Sequence, residues 1–313
     1  MIQEKERVNY VFLCTVVVYL TASLIISTFG NVPFAPMILI SQLSLVLAPG
    51  ILLIRRRDFR RSIPHAKLSF GTVVLVVILT LCIEPVLSFV NALSQCFVEA
   101  PVTETIMDAS ADYSFPVMFL LVALVPAILE EMVYRGVFFQ AYCEEGVFSG
   151  AILSGLLFGL MHGNLNQFLY AFLMGMVFAM TVYATGSIFG SMIMHLTVNG
   201  LSTIILYVYP FLQNELEKTA EETGTDVSQL LDVASTEVDP WLTVKSLVVP
   251  AIVGLVLAVF VFLTIADRCG TREKLKEALH NKDGFQRFRH MITVPLAVGG
   301  FLMALLVVAA EFL

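Results

Sequence analysis

Glu130, Glu131 and Arg135 stand at the end of an apolar run, SFPVMFLLVALVPAILEEMVYRGVFF, and two further apolar stretches carry His162 (SGAILSGLLFGLMHG) and His195 with Asn199 (SIFGSMIMHLTVNG). A carboxylate that can meet an imidazole in a water-poor cavity is equipment for activating water. It holds the proton taken from water and gives it up to a leaving amine, an exchange that a low dielectric brings close to neutral pH. An imidazole and an amide on one helix face supply N–H donors, which suit the negative oxygen of a tetrahedral intermediate. Spacing alone permits this chemistry without selecting it.

The setting makes these residues costly. Each charge inside a bilayer costs at least ~2.5–3.5 kcal/mol on insertion scales, and three fall between positions 130 and 135. With 58% hydrophobic and 14% charged residues and a mean hydropathy of +0.87, the chain cannot hide its apolar side chains in a soluble core. It is an integral, multi-pass membrane protein.

Nine apolar segments, near 8–29, 34–54, 69–93, 115–140, 147–163, 166–185, 187–209, 242–265 and 291–312, compare with the ~17–25 residues a span requires. The fifth is the shortest. The fold class read from this pattern is all-α, a polytopic transmembrane helix bundle of about 8–9 spans around an intramembrane catalytic cavity. The first segment reads as a retained signal-anchor, because no small-residue cleavage site follows a short apolar core.

The division is 1–114 for about three amino-terminal spans, 115–209 for a four-helix core with the polar residues, 210–240 for an acidic loop, and 241–313 for the last spans with a basic loop between them.

Of 18 Lys and Arg, fifteen fall before the first span, in RRRDFRRSIPHAK, or between positions 268 and 289. The connections VEAPVTETIMDASADYS and QNELEKTAEETGTDVSQLLDVASTEVDP are acidic. By the positive-inside rule the amino terminus is expected in the cytoplasm and the acidic loops outside, in what reads as the plasma membrane of a prokaryote. The net charge of −7 reflects those loops and is no argument about nucleic acid. Expected partners are membrane lipids and a membrane-anchored peptide or protein substrate, with no nucleic acid. The stretch TREKLKEALHNKDGFQRFRH reads equally as a surface-lying amphipathic helix or a solvated connection.

Five scattered cysteines without a C-x-x-C pair support neither a disulfide framework nor a thiolate metal site. There is no phosphate loop, dinucleotide fingerprint or H-E-x-x-H. His65, His280 and His290 lie in basic connections and read as solvated.

Helical spacing groups the remaining polar residues. Ser154, Phe158 and His162 form an i, i+4 row beside Gly155, Gly159 and Gly163, and Ala171, Gly175 and Ala179 give the next helix a matching small face for close approach. Ser187, Ser191, His195 and Asn199 repeat every four residues, so that helix has a polar face that must look into the bundle or a wet cavity. At 1.5 Å per residue from the cytoplasmic ends, Glu130 lies ~15 Å deep, His162 ~21 Å and His195 ~12 Å, similar levels in the inner half of the bilayer.

Glu130 and Glu131 point ~100° apart on a helix. Glu131 and Arg135 share a face, with the acid on the favourable amino-terminal side, and are assigned to each other as a clamp. Glu130 is the uncommitted carboxylate. Glu84, followed by Pro85, is a further acid within a span whose helix the proline should kink; it reads as a hydrogen-bonded or protonated carboxyl of the bundle rather than a substrate or proton-handling group.

E-E-x-x-x-R (Glu130, Glu131, Arg135), F-x-x-x-H (Phe158, His162) and H-x-x-x-N (His195, Asn199), in that order on membrane helices, resemble the CAAX-protease and bacteriocin-processing (CPBP) family, the Abi or Rce1-like intramembrane endopeptidases. The resemblance covers 115–209. It implies peptide-bond hydrolysis of membrane-associated, prenylated or leader-peptide substrates. Glu130, assisted by His162, would activate water; His195 and Asn199 would form the oxyanion hole; Glu131, Arg135 and Phe158 would support them.

Such proteins have been described as metalloproteases and as glutamate-dependent proteases. Glu130, His162 and His195 could make a three-ligand zinc site, but an amide and an imidazole on one face favour a metal-free glutamate mechanism. Outside this reading stand a noncatalytic immunity or scaffold protein of the same fold and, less favoured for want of repeated halves, a proton-coupled transporter.

Overall fold

The computed structural model describes residues 4–30, 32–98, 102–223, 239–280 and 284–310. In chain order the helices are α1 (Glu4–Phe29), α2 (Phe34–Arg55), α3 (Arg57–Ser62), α4 (Phe70–Gln95) and α5 (Val102–Asp112). Then come α6 (Phe115–Cys143), α7 (Val147–Leu160), α8 (Leu165–Thr185), α9 (Ile188–Thr223), α10 (Pro240–Arg268), α11 (Arg272–His280), α12 (Gly284–Met291) and α13 (Val294–Ala309). Among the described residues there is no strand, only an isolated bridge between His65 and Ser187.

Among the described residues seven helices, α1, α2, α4, α6, α8, α9 and α10, are long and apolar enough to cross a membrane, and α7 and α13 are shorter apolar helices. The protein is a polytopic helical bundle. Lipid-facing apolar residues need no partner in such a bundle, and α10 leaves Val249, Val256 and Phe260 exposed along its outer face.

The four helices α6 to α9 lie between two flanks. On one side α1, α2 and α13 pack against α6 and α7; on the other α4 and α10 pack against each other and against α8 and α9. The first flank is tied by a buried polar link. Asn9 donates to the Met291 carbonyl (2.8 Å) and Thr293 Oγ1 (2.9 Å) and accepts from Tyr142 Oη (2.6 Å). In the second flank Gly254 sits so close to the Cys82 carbonyl that any side chain there would collide with it. Pro85 lies inside α4, which is assigned as one helix from Phe70 to Gln95.

The small faces of α7 and α8 meet. A Cβ on Gly155 would stand 2.8 Å from the Phe172 carbonyl, and one on Gly175 2.8 Å from Gly155 Cα. This contact fixes the two helices backbone to backbone. At 14 residues α7 is ~21 Å long, short of the ~30 Å hydrocarbon core. Its far end, with His162, therefore turns back before a full crossing. The turn satisfies itself: Asn164 accepts from the Gln167 N–H (2.8 Å) and donates to the His162 carbonyl (3.0 Å), while Gly163 takes the positive φ of 73°.

Two connections are more helical than their charge suggests. The acidic stretch expected as loop from 210 continues α9 to Thr223, since NELEKTAEE consists largely of good helix formers and pairs Glu215 with Lys218 (2.7 Å). Most of the rest of that loop, 224–238, lies outside the described residues. The basic stretch near the carboxyl end forms α11 and α12, with Leu275 buried against Ala184 and Ala266. Glu145, in the short connection before α7, pairs with Lys5 at 2.8 Å.

Candidate active site

Helix α6 is not a regular α-helix. Its segment Val125–Val133, which carries both glutamates, lies between two π-helical stretches, Phe119–Leu124 and Tyr134–Phe138. Such wider turns re-aim side chains and occur often at functional sites. They also loosen carbonyls from the helix ladder, and side chains bind these. Ser154 donates to the Tyr134 carbonyl (2.9 Å), Gln140 to that of Arg135 (3.1 Å) and Asn199 Nδ2 to that of Val122 (2.9 Å). For Val122 the sequence gives a direct cause: Pro126, four residues on, has no N–H to return.

Behind the glutamate pair is a closed, dry knot. Glu131 and Arg135 are both fully buried, and Arg135 Nη1 donates to Glu131 Oε1 at 3.0 Å. The same oxygen lies 3.0 Å from His195 Nδ1. A carboxylate can only accept, so Nδ1 carries the hydrogen and Nε2 faces the other way. The remaining guanidinium surface meets ring faces, with Arg135 Cζ 4.5 Å from the Phe158 centroid and 5.1 Å from that of Phe178. These cation–π contacts replace water where hydrogen bonds are absent.

In front of the pair is a cavity of ≈380 Å³, and Glu130, His162, His195 and Asn199 all line it. Glu130 Oε1 accepts from Gln42 Nε2 at 2.7 Å, and Glu130 Oε2 lies 3.9 Å from His195 Nε2. His162 Nδ1 lies 2.8 Å from the Phe158 carbonyl. That oxygen also can only accept, so His162 turns its Nε2 lone pair outward.

Phe158 is the divider between knot and cavity. Its ring is edge-on to His162 (4.8 Å between centroids), His195 (5.8 Å) and Tyr134 (4.9 Å) while one face takes Arg135. A single aromatic thus sets the positions of both imidazoles.

All seven residues singled out from the sequence belong to this one constellation, though not in every expected pairing. His195 was grouped with Asn199; its hydrogen bond goes to Glu131, and one N–H of Asn199 goes to Val122. Gln42 was missed. It is a buried amide in an apolar span, and the rule that polar residues within spans deserve notice would have found it.

Among the described residues no group of three or more His, Cys, Asp or Glu could hold a metal ion. In the zinc alternative on Glu130, His162 and His195, Nδ1 of His195 is engaged by Glu131 and Oε1 of Glu130 by Gln42, which leaves His195 Nε2 and Glu130 Oε2, 3.9 Å apart, as the atoms that would face a metal.

Residues 112–201 match the family model described as type II CAAX prenyl endopeptidase Rce1-like. The match covers under a third of the chain and supports a CAAX-type intramembrane protease in general. No curated protein and no solved structure matches significantly.

Proposed function

We propose that this chain, built around an Rce1-like domain, is an intramembrane endopeptidase that cuts a membrane-associated, prenylated or leader-type peptide by a glutamate-dependent mechanism. The carrying observation is that Glu130, His162, His195 and Asn199, from three separate stretches of sequence, line one cavity.

Water enters between Glu130 and His162. Glu130 takes one proton, and the outward Nε2 of His162 accepts the other hydrogen and orients the oxygen. The new hydroxide attacks the scissile carbonyl carbon and its π electrons move to the oxygen. In its imidazolium form, with Nδ1–H held from behind by Glu131, His195 donates from Nε2 to that oxyanion together with the second N–H of Asn199. Collapse of the intermediate breaks the C–N bond, and Glu130 returns its proton to the departing amine. The same reading puts the amino terminus in the cytoplasm and the protein in a prokaryotic plasma membrane, by the distribution of Lys and Arg.

The test is cleavage of a membrane-peptide library by purified protein in lipid. Loss of cleavage in Glu130→Ala and His162→Ala, with wild-type activity unaffected by chelators, is the expected result. Equal cleavage by these variants sinks the assignment, and loss on chelation with rescue by zinc overturns the metal-free mechanism.

A further inference from the structure

A second cavity of ≈330 Å³ opens beside the first. The two are neighbours, since Val122, Gln167, Tyr170, Asn199 and Ser202 line both. Asn199, assigned above to the oxyanion, therefore stands at the boundary between them. A peptide whose scissile carbonyl sits at Asn199 has its next residues within reach of the second chamber.

That chamber contains two acceptors without donors. Among the described residues Glu84 Oε2, on α4, is buried and has no hydrogen-bond partner, and neither has Oδ1 of Asn166, a residue only 6% exposed. Unpaired buried acceptors are rare enough to require explanation. Among the described residues Glu84 is also the only charged one lining the chamber, and the other polar groups there are neutral, such as Ser88, Asn91 and Thr203. The sequence suggested a hydrogen-bonded or protonated carboxyl of the bundle; of these, a hydrogen bond to Oε2 is not found among the described residues.

We propose that this chamber is a substrate subsite for a positively charged side chain, a lysine or arginine one to a few residues from the scissile bond, with Glu84 as its counter-charge and Asn166 Oδ1 as a second acceptor. The inference rests on the protease reading for the identity of the substrate, but the site itself is defined by its own residues. The chamber's one acid lies outside the matched segment, on α4, which contributes Glu84 together with the neutral Ser88 and Asn91. Selectivity for the substrate's charge is then set by a flank helix, and bond cleavage by the core.

The test uses acyl-anchored fluorescent peptides identical except for one lysine or norleucine scanned along the chain, bound to the Glu130→Gln protein in lipid nanodiscs. At one position lysine is expected to bind roughly tenfold to a hundredfold tighter, as for a hydrogen bond to a buried charge. Adding Glu84→Gln should abolish the difference, and adding Asn166→Asp, a same-sized change that brings a second negative charge, should increase it.

Equal binding of lysine and norleucine peptides at every position, or a lysine preference that survives Glu84→Gln, overturns the subsite and leaves the protease reading intact. A Glu84-dependent preference in a protein whose wild type cleaves none of these peptides supports the charged chamber and counts against the protease.

Discussion

The two sides of α6 at positions 130 and 131 hold the same functional group in opposite states. Glu131 is sealed, with Arg135 and His195 both on one of its oxygens and aromatic rings around the guanidinium. Glu130, the preceding residue, faces a cavity, is held by a neutral amide, and has its nearest potentially cationic nitrogen at 3.9 Å. The ~100° turn per residue separates them. Adjacent identical side chains thus divide into a structural anion, neutralised in the dry interior, and one left free to take and give a proton. The anion also aims His195 into the reactive side, so the two regions are coupled through one imidazole.

The sharpest way to break this comparison is to neutralise each carboxylate in turn. Glu130→Gln should lower the cleavage rate ~10²–10⁴-fold, the range for loss of a general base, with thermal unfolding in detergent unchanged. Glu131→Gln should instead lower the unfolding temperature. If both variants stay fully stable and lose activity equally, the division of roles is wrong.

Arg135→Met comes next. Removing one partner of a buried pair leaves an uncompensated charge and costs about 3–5 kcal/mol, comparable with much of a domain's net stability. Unfolding followed by tryptophan fluorescence through the single Trp241 reads the loss. The double variant Glu131→Leu/Arg135→Met should recover part of it without recovering activity, because His195 would then lack the carboxylate behind it.

How far the sequence carried can be judged from these same residues. Helix positions followed from apolar length, and the Gly155–Gly175 contact from small residues at every fourth place. The Glu131–Arg135 spacing could be read because it is local to one helix. The Glu131–His195 bond could not: it joins residues 64 apart, and no periodicity tells which face of α9 meets which face of α6. The π-helical stretches were also invisible, although Pro126 marks where a carbonyl had to find another donor. Gln42 and Glu84 lay outside the stretch that carried the motifs, and both flanks proved to contribute polar residues to the cavities.

Asn199 tests where the two regions touch. Asn199→Ala removes an oxyanion donor and should reduce kcat ~10²-fold, at the lower end of such losses. It also strips the Val122 carbonyl of its donor, at about 1–3 kcal/mol of stability. Adding Pro126→Ala restores an N–H four residues along from that carbonyl. The double variant should regain stability but not rate, and recovery of both would mean that Asn199 acts only as a brace for α6.

The smallest effect belongs to Gln42, which touches Glu130 from a helix outside the matched segment. Its bond to one carboxylate oxygen leaves the other turned to the cavity, so its part is to position the base. Gln42→Leu should lower kcat about tenfold, the lower end for a hydrogen bond to a charged group, while KM stays near its wild-type value because the amide meets the carboxylate and not the peptide. Gln42→Glu keeps the size but sets a second carboxyl against Glu130, and should be worse than leucine. If KM rises and kcat holds in the leucine variant, Gln42 binds substrate, and the environment that distinguishes Glu130 from Glu131 must then be set by His195 alone.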